Sequence, residues 1–66
     1  MKVHVNGECR EVPDGSCLED LLEHLELRAS RIAVELNREI VPRTRFSEQT
    51  LRDGDRLEIV TFVGGG

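Results

Sequence analysis

This sequence lacks a surplus of positive charge, a cysteine pair at metal or redox spacing, a long apolar run and any co-located catalytic set. Lysine and arginine number 9 against 13 aspartates and glutamates, a formal charge of −4. That balance argues against nucleic acid as a partner, because phosphate binding draws its affinity from clustered cations. Cys9 and Cys17 form no Cys-x-x-Cys pair and no histidines cluster near them, so neither a metal site nor a redox motif is supported. The opening Met1-Lys2-Val3-His4-Val5 lacks the apolar region of a secretion signal. No apolar stretch approaches the roughly 20 residues of a membrane span. The expectation is a cytoplasmic protein, off the membrane, with both thiols reduced and each acting as a small half-buried side chain.

Size and residue placement disfavour an enzyme. A chain of 66 residues holds one domain and is too short to enclose its own pocket. His4 and His24 fall on different elements and read as lone surface histidines, and no Ser, Cys and His are brought together by spacing. Gly7, Gly15 and Gly54 each sit in a separate turn, whereas a phosphate cradle needs a glycine-rich passage from strand to helix. No bound cofactor or metal is expected. Acid is concentrated early: two cations stand against seven acids before Arg28, and seven arginines against six acids from there on. Most of it reads as the solvated face of one helix.

Periodicity gives the elements. Val3 and Val5 alternate with polar residues up to Asn6-Gly7, and strand-like composition resumes through Val12, which predicts a hairpin. A two-residue loop sets Val5 opposite Glu8; a three-residue loop sets it opposite Cys9 and buries more, so the second register is favoured. After Pro13-Asp14-Gly15, Ser16 followed by Glu19 fits a capping box, and Leu18, Leu21, Leu22 and Leu25 form one helical stripe. Ile32, Val34 and Leu36 predict a third strand and Ile40-Val41 a short fourth. Asp53-Gly54-Asp55 turns into a last strand over 57–63.

A leucine-faced helix between an opening hairpin and later strands implies an α+β domain with a mixed sheet of four to five strands and the helix across one face. The crossover rule then places the last strand parallel to the first in mid-sheet, the ubiquitin-like β-grasp arrangement. The division is a β-grasp domain over 1–63 and a flexible glycine tail over 64–66. If Leu57 and Ile59 face the helix, Val60 and Phe62 face the uncovered side and make a candidate docking patch.

Gly64-Gly65-Gly66 follows the strongest strand directly. Without a Cβ such a tail adopts any φ, threads a narrow channel of a partner and delivers a carboxylate at full reach. That carboxylate is an anion at neutral pH and can attack a phosphoanhydride once positioned.

Four segments together carry a family resemblance. They are the Gly15-x-x-Leu18-x-x-Leu21-Leu22 helix entry, the Leu36-Asn37-Arg38-Glu39-Ile40-Val41-Pro42-Arg43 segment, the Asp53-Gly54-Asp55 turn and the Phe62-Val63-Gly64-Gly65-Gly66 end. Through them the chain resembles the ThiS family of sulfur carriers in thiamine biosynthesis. Cys17 departs from the pattern, standing where such proteins often have threonine.

The resemblance implies that the Gly66 carboxylate is adenylated with ATP by an E1-like activating enzyme, ThiF. It is then converted to a thiocarboxylate with sulfur from a cysteine desulfurase or another persulfide donor, and used by thiazole synthase, ThiG. The carrier would be a co-substrate, with Gly64 and Gly65 threading both partner sites. The alternatives are a carrier like MoaD of molybdopterin synthesis, a ubiquitin-like modifier joined to lysines through Gly66, and a bare interaction module whose tail is idle.

Overall fold

The computed structural model of the chain describes residues 1–62. Six elements carry the fold: β1 (Lys2–Val5), β2 (Glu8–Glu11), α1 (Leu18–His24), β3 (Ile32–Leu36), β4 (Glu39–Val41) and β5 (Arg56–Thr61). Short 3-10 turns at Ala29–Arg31 and Arg43–Arg45 precede β3 and follow β4. The strands form one sheet in the order β2-β1-β5-β3-β4, with β5 parallel to β1 and antiparallel to β3. The mid-sheet last strand expected from the crossover rule is therefore present. β5 ends at Thr61, and the last of the expected strand, Val63, lies outside the described residues.

One face of the sheet meets the helix. Val3, Val5, Ile32, Val34, Leu57 and Ile59 point inward against Leu18, Leu21 and Leu22, and Val12, Val41, Phe46 and Leu51 close the sides. Leu25, the fourth residue of the stripe, is the helix C-cap and is half-buried. Beyond it Glu26 takes a positive φ of 59°, and the Glu26 and Leu27 amides donate to Glu23 and Leu22 carbonyls at 3.0 and 2.9 Å. This closure satisfies the last carbonyls and sends Leu27 back over the sheet.

Four local expectations change. The first hairpin pairs Val5 with Glu8 and His4 with Cys9, so its loop has two residues and the favoured longer register is wrong. Asn6 and Gly7 hold φ of 49° and 85°. Positive φ at both central positions makes the turn whose twist matches that of the strands, and this outweighs the burial the other register would gain. β2 is accordingly an exposed edge strand, and Cys9 lies exposed on it rather than half-buried; Cys17 is partly buried. His4 is half-buried, and only His24 fits a surface histidine.

The cap shifts by one residue. Ser16 donates its hydroxyl to the Pro13 carbonyl at 2.6 Å, closing the preceding turn, so Cys17 becomes the N-cap and Asp20 the third helical residue. The Asp20 carboxylate accepts the Cys17 amide at 3.0 Å, and this hydrogen bond holds its pKa below the ordinary value of 3.8. A carboxyl with a lowered folded pKa stabilises the fold above its unfolded pKa, and the contribution is lost as pH falls through the folded value. Asp20→Ala is therefore expected to lower Tm at neutral pH, with the gap from the parent closing as pH drops below 3.8; melting curves across that range check it.

The Asp53-Gly54-Asp55 turn is a junction of three strands. The Lys2 amide donates to Asp53 Oδ1 at 2.7 Å, and the Gly54 amide to the Lys2 carbonyl at 2.7 Å. Asp55 accepts from the Arg52 amide at 2.7 Å and from Asn37 Nδ2 at 3.0 Å, and Asn37 Oδ1 accepts the Arg56 amide at 3.0 Å. Gly54 holds φ of 86°, with open space where a Cβ would stand. Gly54→Ala is expected to destabilise by about 1–2 kcal/mol through backbone strain alone, measurable by urea unfolding.

Candidate docking face and tail exit

β5 positions everything that leads to the terminal glycines. Its antiparallel register with β3 sets Val60 opposite Ala33 and Glu58 opposite Glu35. The Phe62 amide donates to the Arg31 carbonyl at 2.8 Å and extends the pairing one residue past the strand. Strict alternation follows: Leu57 and Ile59 are 1% and 8% exposed on the helix side, whereas Val60 and Phe62 are 61% and 57% exposed on the other. The two residues singled out in the sequence thus share the uncovered face. Gly64, Gly65 and Gly66 lie outside the described residues.

The open face holds more than that pair. Ile40, across Glu35 on β4, is 77% exposed, and Glu35 and Glu58 stand directly opposite one another in adjacent strands. Two carboxylates facing each other across a ladder repel, and the fold gains nothing from them. Ile40 escaped the sequence reading because it precedes Val41 in a strand too short to show alternation. The signal was there, since two neighbouring residues of one strand cannot both be core.

Ile40, Val60 and Phe62 make this an apolar surface open to solvent. Among the described residues no group of His, Cys, Asp or Glu is arranged to hold a metal ion. No helix among the described residues is long and apolar enough to cross a membrane.

The ThiS family model matches residues 3–66. The sulfur carrier protein ThiS of Bacillus subtilis is 43% identical over 53 residues, covering 80% of each chain. A thiazole synthase of Paramagnetospirillum magneticum is 44% identical over all 66 residues, and this chain spans only 20% of that protein's length. Among solved structures, the thiamine biosynthesis protein ThiS of Geobacter metallireducens superposes with a TM-score of 0.84 at 36% identity, covering 100% of both chains. A family match across almost the whole sequence and a shared ubiquitin-like β-grasp fold agree with the residues quoted at the outset, and the chain belongs to the ThiS family.

Proposed function

We propose that the chain carries sulfur, as a thiocarboxylate at Gly66, for making the thiazole of thiamine. The observation that carries this is the family match through residue 66, glycines included. A carboxylate is a poor acyl donor because its oxide is a poor leaving group. An activating enzyme of the ThiF type overcomes this by letting the Gly66 oxygen attack the α-phosphorus of ATP, releasing pyrophosphate and leaving an acyl adenylate. A persulfide sulfur, supplied by a cysteine desulfurase or another donor, then displaces AMP. A second thiol cuts the resulting S–S bond and frees the thiocarboxylate, a strong nucleophile for a thiazole synthase of the ThiG type.

The chain catalyses none of these steps and holds no cofactor; ATP belongs to the activating partner. Such chemistry suits the cytoplasm, where ATP and reduced thiols are at hand. Gly64 and Gly65 serve passage into both partner sites, since a Cβ would widen the tail.

Val60 and Phe62 form the docking patch of this reading. Aromatic and branched side chains exposed beside the reacting end are the kind that anchor an interface. Phe62→Asp is expected to lower kcat/KM for adenylation at least about tenfold with Tm unchanged, read by ATP–pyrophosphate exchange and thermal melts. A variant that unfolds would place Phe62 in the core. The carrier reading itself is tested by intact-mass spectrometry of the protein from its host: exchange of sulfur for oxygen at the terminus is expected, and isopeptide adducts on other proteins would point instead to a modifier.

A further inference from the structure

Hydrogen bonds along β5 alternate between its two neighbours. The pairing of Phe62 with Arg31 and of Arg56 with Asn37 fixes which residues face β3, and leaves the amides and carbonyls of Leu57, Ile59 and Thr61 facing β1. Leu57 is met there by main chain, its carbonyl accepting the Asn6 amide at 2.9 Å. Ile59 is met by a side chain: its amide donates to Asn6 Oδ1 at 2.7 Å and its carbonyl accepts Asn6 Nδ2 at 3.1 Å. The Asn6 carboxamide imitates one peptide unit of a strand that has already turned away. Thr61 comes next, and among the described residues no strand pairs with it on this side and no hydrogen bond meets its amide or carbonyl there.

Beside this vacancy runs a groove floored by Val5, Leu25, Leu27 and Ile59, with Glu8 and Arg10 on its rim. The rim residues pair at 3.4 Å and are both substantially exposed. Thr61 is exposed, so its main-chain groups are open to solvent. An extended main chain laid along β5 would satisfy them equally well, continue the row that Asn6 begins, and drop alternate side chains onto the apolar floor.

We propose that this half-edge of β5 at Thr61 receives an extended main-chain segment of a thiazole synthase, which adds a short strand to the sheet. The inference rests on the carrier reading and deepens it by naming a second surface, distinct from the face that bears Val60 and Phe62. The synthase is the occupant because relatives named thiazole synthase contain this whole domain within their own longer chain, so the two must be accommodated together. The groove offers both signs of charge on its rim, which suits a neutral backbone better than a charged side-chain patch.

The test uses the full 66-residue chain prepared by ligation with an N-methyl group on Thr61. This deletes one donor and blocks an added strand, and leaves the side chain and the β3 pairing untouched. Binding to purified thiazole synthase is expected to weaken at least about tenfold, with the far-ultraviolet spectrum and Tm of the free chain unchanged. Hydrogen exchange on the unmethylated chain gives a second readout. The Thr61 amide is expected to exchange fast when free and at least about tenfold slower in the complex, whereas the Ile59 amide is protected in both.

Equal binding of both chains, or a Thr61 amide that stays fast in the complex, overturns the proposal. So does an unmodified chain that binds no synthase. Whether the carrier reading falls with it is decided separately, by whether the terminus of the native protein carries sulfur.

Discussion

Deletion of Gly66 is expected to abolish sulfur loading completely and to leave the melting curve of the domain where it was. The separation of the two effects follows from the fold. Among the described residues the buried ones run from Val3 to Ile59, and the last hydrogen bond that joins the final strand to its neighbour is made by Phe62. A glycine has no side chain to give to a core, so its loss leaves these contacts in place. The deletion does withdraw the reacting carboxylate by one residue, about 3.5 Å of reach, from an adenylation site that must hold it in line with a phosphoanhydride. A displacement of even 1 Å can cost about a hundredfold in rate.

Gly65→Val is expected to reach the same end by another route: the carboxylate keeps its distance, but on the proposed carrier reading a branched side chain would have to enter a site meant for bare backbone. ATP–pyrophosphate exchange with the activating enzyme and intact-mass measurement of the product read both variants. A Gly66 deletion that still acquires sulfur would sink the carrier reading.

Leu57→Ala is expected to have the opposite profile, leaving the terminus as it was and destabilising the fold. Leu57 is 1% exposed on the central strand, opposite Val5 on one side and Leu36 on the other, and packs in the same cluster as Leu18 and Leu21. Truncating such a leucine costs about 2–5 kcal/mol. In a domain of this size each kcal/mol lowers Tm by roughly 4–8 °C, so a fall of about 10 °C or more is expected, checked by circular dichroism. Val60→Ala, three residues along the same strand, removes a side chain that is 61% exposed and is expected to shift Tm little. The pair reports the alternation directly: if Val60→Ala proved the more damaging, the facing of β5 would be reversed.

How far the sequence foretells this arrangement depends on how each feature is encoded. The leucines of α1 and the alternation of Leu57, Ile59 and Val60 are written as periods, and periods survive translation into three dimensions. The sheet order followed from the handedness of the crossover and needed no side-chain detail. The Asp53-Gly54-Asp55 and Asn37 segments were legible as motifs, but their purpose was not. It lies in hydrogen bonds that reach from Asp53 to Lys2 and from Asn37 to Asp55 and Arg56.

The errors were local competitions between near-equal terms. Asn6-Gly7 chose the turn with the better twist over the register with more burial, and Ser16 spent its hydroxyl on Pro13, handing the cap to Cys17. The Glu35–Glu58 opposition and the empty row at Thr61 could not be read at all, because each exists only once two distant strands are in register.

The central place of β5 also bears on how the domain would respond if a partner held it by its end, as the proposed carrier role requires. A partner that grips the chain beyond Phe62 and pulls along the strand loads the β1 and β3 flanks together, in shear, so many hydrogen bonds must yield at once. Had the last strand lain at the edge, held on one flank alone, far fewer bonds would resist the same pull. Under the proposed carrier role, a small domain with little core would keep its shape while enzymes pass it along by its terminus.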